Sequence, residues 1–231
     1  MGRQLRPIAD GLVYHALNRG NNRGAVFADA ADFQAFLDAL AKTKERYPFR
    51  LFAYCLMSNH FHLVLAPDAG QSISRIVQSL TVAHTWHYHK RHGTAGHVWQ
   101  GRFKSPVVET DEHLLTVLRY VEGNPLRAGM VSDLASYVWS SYLVHGLGKS
   151  FGLVDEAPVW ERLGKTETAR QSRWRQWVHT PLTEKELAGV RRAVTTGHPY
   201  GTARWVAATA RRLDLNLAPR PRGRPRKPAE K

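Results

Sequence analysis

The sequence is short of cysteine and of acidic residues. Among its 231 residues Cys55 is the single cysteine, so no disulfide can form within the chain. The apolar run around Cys55 predicts a small buried side chain. Only 19 aspartate and glutamate residues stand against 33 lysine and arginine residues, which gives a formal net charge of +14. This excess favours a polyanionic partner, with a membrane surface as the weaker alternative.

Long hydrophobic runs are also missing. No apolar segment is long enough to span a bilayer, and the first residues, MGRQLRP, carry charge but no apolar stretch of a signal peptide. We therefore expect a cytoplasmic, nucleoid-associated protein with no membrane partner. At 43% hydrophobic residues the chain can still bury a core, and its length suits one domain with an appendage.

The spacing of apolar residues predicts an α+β fold. Strands are expected over 11–18, 49–56 and 60–66, and the short link at 57–59 predicts an antiparallel hairpin. Helices are expected over 30–46, 72–91 and 111–123, the first two capped by Asp29 and Ser72. This order of elements predicts an antiparallel sheet with helices on one face.

Three parts of the chain are expected. A domain at 1–146 contains the sheet, and shorter helices form an extension at 147–215. The tail at 216–231 is rich in proline and arginine, so it cannot form a core.

Two histidines open the third predicted strand. Side chains alternate between the faces of a strand, so His60 and His62 share one face while Phe61 points to the other. Two neutral imidazoles on one face can converge on a metal ion. The alternative is a pair of histidines that bond to neighbours or water on a half-exposed face, and a His-x-His pattern alone does not separate the two.

A tyrosine and an asparagine share a face of the helix predicted over 111–123. Tyr120 and Asn124 have the spacing of neighbours on a helix. An amide oxygen suits a hard ion such as Mg²⁺ or Mn²⁺, and a tyrosine hydroxyl can attack a phosphate that a metal polarises. The alternative is a tyrosine at the edge of an amphipathic helix and an asparagine that ends the helix before Pro125.

Four stretches occur together in one order. They are the residues Tyr14-His15 and Asn18-Arg19-Gly20, then MSNHFHLV at 57–64, GHVWQGRF at 96–103 and RYVEGNPLRAG at 119–129. Together they resemble the single-tyrosine (Y1) transposases of the IS200 type, and more closely the REP-associated tyrosine transposases of bacteria. The resemblance covers residues 8–145, and the basic tail is in keeping with the second group.

The resemblance implies a ferredoxin-like core and an enzyme that nicks and rejoins single-stranded DNA with a divalent metal, Mg²⁺ or Mn²⁺. It implies that His60 and His62 bind the metal. It also implies that Tyr120 attacks the scissile phosphate, which leaves a 5′-phosphotyrosine link and a free 3′-hydroxyl. IS200-type enzymes complete the metal site with a glutamine four residues after the tyrosine, where this chain has Asn124, one methylene shorter.

The resemblance also implies the partners. REP-like members act on single-stranded DNA that carries an imperfect hairpin near a short recognition sequence. Dimers in the wider family can share active sites, with the tyrosine helix supplied in trans, so a homodimer is a second expected partner.

Basic and aromatic residues lie beside these stretches. The side chains expected to contact the DNA backbone are Arg19, Arg23, Arg102, Lys104 and Arg127. Trp99 and Phe103 are expected to stack on unpaired bases, with burial in the core as the alternative.

The tail contains a short basic motif. RGRP at 222–225 resembles an AT-hook, whose Arg222 and Arg224 would lie in an A·T minor groove. An unspecific cationic tail is the equal alternative.

Four histidines lie on the second predicted helix: His84, His87, His89 and His92. We interpret them as part of a phosphate-facing side with Lys90 and Arg91 rather than as a second metal site, because no carboxylate or thiolate accompanies them. Two rival functions stay open for the chain. One is a DNA-hairpin-binding protein that kept the fold and lost catalysis, and the other is a metal-dependent phosphodiesterase in which Tyr120 is a bystander.

Overall fold

A four-stranded antiparallel sheet forms the centre of the computed structural model, which describes residues 8–218. The strands are β1 (Val13–Arg19), β2 (Phe49–Met57), β3 (His60–Pro67) and β4 (Val107–Val108), in the spatial order β2-β3-β1-β4. β2 and β3 form a hairpin in which Met57 lies opposite His60. Because side chains alternate along each strand, each face of the sheet presents its own set of buried residues.

Two long helices cover one face of the sheet. α1 (Ala30–Arg46) begins after Asp29, whose carboxylate accepts hydrogen bonds from the backbone N–H groups of Ala31 and Asp32. α2 (Ile73–His92) begins after Ser72, whose hydroxyl oxygen accepts from the N–H of Ser74. Both helices bury apolar residues at helical spacing. These residues are Phe33, Phe36, Leu40, Ile73, Ile76, Val77 and Leu80.

The opposite face is covered by α3 (Glu112–Glu122), which packs against β2 and β3. The chain continues through α4 (Asn124–Arg127), α5 (Tyr142–His145), α6 (Glu167–His179), α7 (Glu184–Thr196) and α8 (Ala203–Arg212). Trp160, Trp174 and Val190 join the same buried cluster as α3. The helices α5, α6 and α7 therefore extend the core on this face, while Trp205 of α8 packs against the cluster of α1 and α2.

The predicted α+β fold is confirmed. The order β-α-β-β-α-β, with β1 between β3 and β4, is ferredoxin-like. The helices α1 and α2 lie on one face as predicted, and α3 with the C-terminal helices also covers the other. β4 has two residues, too few for any periodicity to predict it. The boundary at residue 146 stays a prediction. Within residues 8–218 no helix is both long and apolar enough to cross a membrane.

Candidate active site

The strand register brings polar residues to the sheet face that α3 covers. In the pairing of β1 with β3, Arg19 lies opposite His60 and Leu17 lies opposite His62. Leu17 also bridges to Lys104 on its other side. Directly paired residues share a face, and His15 joins them because it is two residues from Leu17. Phe61 points to the other face, as the alternation predicted, and is fully buried there.

Each of the two histidines of β3 uses its Nδ1 atom in a hydrogen bond. The Nδ1 of His60 lies 2.6 Å from Oδ1 of Asn59, and the Nδ1 of His62 lies 2.9 Å from Nε2 of His15. These bonds fix the two rings and leave Nε2 of each as the ligand atom for a metal. The amide nitrogen of Asn124 lies 3.3 Å from Nε2 of His60, so the side chain predicted as the third ligand lies beside the first.

Burial keeps these rings neutral. Burial, and after it the positive charge of Arg19, lowers the pKa of His60 to about 4. Burial, and after it the neighbouring histidines, holds the pKa of His62 well below its ordinary value. Burial alone lowers the pKa of His15 to about 3. A metal ligand must be unprotonated, so the two imidazoles and the amide fit a divalent ion without a proton having to be removed at neutral pH.

The last turn of α3 places the tyrosine beside the histidines. The ring of Tyr120 lies with its centroid 5.8 Å from that of His62 and 5.9 Å from that of His15. The guanidinium of Arg127 lies 4.4 Å above the Tyr120 ring. It also donates to the carbonyl oxygen of Tyr120 at 2.5 Å and to Oδ1 of Asn124 at 3.3 Å. Arg127 therefore ties the tyrosine to the asparagine across the break between α3 and α4.

An open cavity of about 310 Å³ joins these groups. His60, His62 and Tyr120 line it together with three of the basic side chains predicted to contact DNA: Arg19, Arg102 and Lys104. Arg23 is exposed on the loop after β1 and does not line the cavity. Arg222 and Arg224 lie outside the described residues.

One comparison decides the family. A family model described as "Transposase IS200 like" matches residues 9–124, the part of the chain that holds the sheet, both histidines of β3, Tyr120 and Asn124. The chain belongs to this family. The resemblance drawn from the sequence is therefore confirmed, and the family match covers half of the chain.

Individual relatives agree with the family. A Haemophilus influenzae protein named as a REP-associated tyrosine transposase is 25% identical over 117 residues, which cover 46% of this chain and 66% of that protein. The match thus spans just under two thirds of the relative's length. A solved structure of a REP-associated tyrosine transposase bound to a REP hairpin aligns with a TM-score of 0.53 and 17% identity, over 67% of this chain and 94% of that one. That likeness supports the fold.

The two aromatic residues expected to stack on bases, Trp99 and Phe103, pack against the core. Trp99 is half-buried, and its indole N–H donates to the carbonyl oxygen of Thr81 and to the hydroxyl of Thr85. Phe103 packs against the same hydrophobic cluster. Both side chains are half-buried there, as the core alternative expects, and stacking on bases stays a prediction.

The histidines of α2 hold a buried carboxylate. Asp32, at the start of α1, receives Arg91 at 2.8 Å, His87 at 3.2 Å and His92 at 3.0 Å. The Nε2 of His84 bonds to the carbonyl oxygen of Val26. The predicted phosphate-facing role is wrong for these four residues, because their polar atoms tie α2 to α1 and to the loop before it. It stays a prediction for His89, which bonds to Thr94 and Gly96, and for Lys90.

Acidification is expected to destabilise the protein through His84. Burial lowers the pKa of His84 to about 4, so between pH 6.5 and 4 the unfolded chain binds a proton that the folded chain does not. Stability is therefore lost as the pH falls through this window, by up to about 3 kcal/mol for this residue. Urea unfolding across the window should show a flatter pH dependence for His84→Gln than for the wild type. Equal dependence would contradict this assignment.

A buried glutamate anchors the end of α3. Glu122 is fully buried two residues after Tyr120. Its carboxylate accepts hydrogen bonds from the hydroxyl of Ser141 and, at 2.7 Å, from the indole N–H of Trp174. It also bonds to Nδ1 of His145 at 2.6 Å. The turn that carries the tyrosine is thus fastened to α5 and α6.

Loss of the Glu122 carboxylate is expected to destabilise the fold strongly. Glu122→Ala leaves three buried polar groups without their acceptor, which costs about 3 kcal/mol or more in the free energy of unfolding. Glu122→Gln keeps an acceptor oxygen and the side-chain volume, so it should lose less. Urea unfolding followed by tryptophan fluorescence measures the free energy of unfolding of each variant. An alanine variant as stable as the glutamine variant would show that these bonds contribute little.

A second set of potential metal ligands lies away from the cavity. Among the described residues, Glu109, Asp111 and His113 bring ligand atoms within 4.8 Å of one another. Glu109 accepts from the N–H of Thr202, the residue that caps α8, while Asp111 caps α3 and bonds to the ring of His113. These bonds give the cluster a structural role at the ends of two helices.

Sequence reasoning missed three contributors to the site. His15 was quoted in the resemblance without a role, although its place two residues before Leu17 on β1 could have put it on the histidine face. Val194 and Thr195 of α7 also line the cavity, and no local pattern indicates that. The position of these two residues at the cavity depends on how α7 packs beside α3.

Proposed function

We propose that this protein is a metal-dependent single-stranded DNA endonuclease and strand transferase. It acts on hairpin DNA through a 5′-phosphotyrosine intermediate. The observation that carries the proposal is the convergence of His60, His62 and Tyr120 at one cavity that basic side chains border. Asn124 does not line this cavity but lies against His60. A DNA phosphate can lie between the histidines and the tyrosine in such a cavity.

His60, His62 and Asn124 would hold Mg²⁺ or Mn²⁺. When bound, the ion supplies Lewis-acid polarisation of the scissile phosphate. The protein's part is to present neutral imidazoles in fixed orientations, which the bonds from Asn59 and His15 provide. A half-turn of the Asn124 amide exchanges its oxygen and nitrogen, so this side chain can present its oxygen to the ion.

Tyr120 is the proposed nucleophile. The Tyr120 hydroxyl gives up its proton and its oxygen forms a bond to the phosphorus, while the bond from phosphorus to the 3′-oxygen breaks. The 3′-oxygen takes up a proton, so the step neither consumes nor releases a net proton. The DNA then has a free 3′-hydroxyl, and its other end is held as a 5′-phosphotyrosine. Rejoining reverses the step without ATP, since the phosphodiester is exchanged rather than hydrolysed. Arg127 holds the tyrosine ring in place and brings positive charge to the phosphate.

The remaining basic residues would bind the DNA backbone. Arg19, Arg102 and Lys104 line the cavity, where they can contact phosphates on either side of the cut. Burial, and after it the charge of Arg19, lowers the pKa of Lys104. Arg23 would contact the strand further away, and Arg222 and Arg224 would add contacts from the tail.

The proposed substrate is a REP-like hairpin with a single-stranded flank. The solved relative bound to a REP hairpin supports this choice, as does the name of the Haemophilus influenzae relative. The proposed setting is the cytoplasm, at the nucleoid, and a homodimer stays a prediction.

Cleavage of end-labelled oligonucleotides tests the proposal. The full-length protein is incubated with hairpin oligonucleotides from the flanks of its own gene, labelled at the 5′ or the 3′ end, with Mg²⁺, with Mn²⁺ or with a chelator. We expect a free fragment that ends in a 3′-hydroxyl and a protein-linked fragment, both only with metal. Binding without cleavage in either metal would instead support the hairpin-binding protein without catalysis.

A further inference from the structure

Part of the active-site cavity is built by a helix that lies beyond the family match. The match ends at residue 124, whereas α7 spans Glu184–Thr196. Val194 and Thr195 of this helix line the cavity opposite the strands that carry His60 and His62. The C-terminal extension therefore contacts the space in which the proposed reaction takes place.

Arg191 lies on the same side of α7 as Val194 and Thr195, although it does not itself line the cavity. With 3.6 residues per turn, position 191 falls between positions 194 and 195 when the helix is viewed along its axis. The hydroxyl of Thr195 donates to the carbonyl oxygen of Arg191 at 2.8 Å, one turn away. Arg191 is exposed, so its guanidinium is free to reach a ligand in the cavity.

α7 is fastened to the helix that carries the tyrosine. Arg119, next to Tyr120 in the sequence, pairs with Glu186 of α7 at 3.3 Å. Arg119 also donates to the carbonyl oxygens of Thr180 and Pro181, both at 2.8 Å. Val190 is buried in the same cluster as α3. The position of Arg191 relative to Tyr120 is therefore set by buried and charged contacts rather than by a loose loop.

Arg191 is a positive charge without an acidic partner among the described residues. In the part of the chain that the structure describes, Arg191 forms no ion pair with a carboxylate. Arg19, Arg102 and Lys104 line the cavity that α7 borders. A further guanidinium beside a cavity that cations line favours an anion there.

We propose that α7 forms a phosphate-binding wall of the active site, in which Arg191 binds a DNA phosphate next to the scissile one. Val194 and Thr195 supply the apolar and steric part of the wall, and Arg191 supplies the charge. The inference rests on the proposed function, since it takes single-stranded DNA as the ligand. It adds a DNA-binding residue from outside the region that matches the family.

Arg192 offers a matched control. It is also an exposed arginine of α7, but one residue further round the helix it points about 100° away from Arg191. Arg191→Gln and Arg192→Gln remove the same charge from the same helix, and both positions are at the surface. A general effect of net charge would therefore appear in both variants, and a phosphate contact in the cavity only in the first.

The test measures DNA binding in the full-length Tyr120→Phe background, so that no covalent product forms. The probe is a hairpin oligonucleotide with a single-stranded flank, titrated at several salt concentrations. Arg191→Gln should weaken binding about tenfold, the effect of one lost charge-assisted hydrogen bond, and lower the salt slope by about 0.7. Arg192→Gln should change neither. Equal effects of the two substitutions on affinity and slope would overturn the proposal.

A second set of probes locates the phosphate. Each oligonucleotide carries one neutral methylphosphonate at a different position of the flank. One position should weaken binding to the Arg192→Gln protein and have no effect on the Arg191→Gln protein. If every position affects both proteins equally, Arg191 contacts no phosphate. Cleavage by the wild-type protein is assayed in parallel, because the proposed function fails if no cleavage occurs, whatever the two arginine variants show.

Discussion

Tyr120→Phe is expected to abolish both DNA cleavage and the covalent protein–DNA product while leaving hairpin binding nearly unchanged. The substitution removes only the phenol oxygen that would attack the phosphate. The ring keeps its contacts with His15, His62 and Arg127, so the shape of the cavity is retained. End-labelled oligonucleotides on denaturing gels measure cleavage and adduct, and a filter-binding titration measures affinity.

Tyr88→Phe is the matched control for that experiment. Tyr88 lies on α2, where its hydroxyl bonds to the carbonyl oxygen of Ala25, on the other side of the sheet from the tyrosine helix. This variant should cleave at the wild-type rate. If the Tyr120→Phe protein also cleaves normally, Tyr120 is a bystander and the phosphodiesterase alternative explains the metal site.

Alanine at both His60 and His62 is expected to remove metal-dependent cleavage entirely. Two of the three proposed ligands are then absent, and an amide oxygen alone does not retain a divalent ion against water. Without the ion the phosphate is no longer polarised, which raises the free energy of the transition state by several kcal/mol. The cleavage rate should therefore fall at least about a thousandfold. Calorimetric titration with Mn²⁺ measures binding of the ion, and the labelled oligonucleotides measure cleavage.

Two further variants make the histidine experiment decisive. His60→Ala alone should lose cleavage without disturbing the fold, because His60 is only half-buried whereas His62 is bonded to His15 inside the sheet. His113→Ala should retain cleavage, because His113 belongs to the separate cluster with Glu109 and Asp111. If His113 is essential for cleavage and His60 is dispensable, the catalytic metal binds at that other cluster instead.

Local sequence patterns could predict most of the elements that form the sheet and its helices. The alternation around Phe61 showed which face His60 and His62 occupy, and the caps Asp29 and Ser72 set where α1 and α2 begin. Neither result depends on distant contacts, since alternation and capping act within a few residues.

The meeting of the site residues could not be predicted from spacing. His60 and Asn124 are separated by 64 positions, and their contact depends on how α3 lies across the sheet. The resemblance to IS200-type enzymes supplied that link. The interpretation of the α2 histidines failed for the same reason, because Asp32, the carboxylate that they hold, lies on another helix.

Mass spectrometry of the protein after reaction with a hairpin oligonucleotide and Mg²⁺ tests the central claim most directly. The denatured protein is digested with nuclease and protease, and the peptide that contains Tyr120 is analysed. The account predicts that this peptide carries a nucleotide joined through its 5′-phosphate to the tyrosine oxygen. An unmodified Tyr120 peptide alongside cleaved DNA, or a nucleotide on another residue, would contradict it.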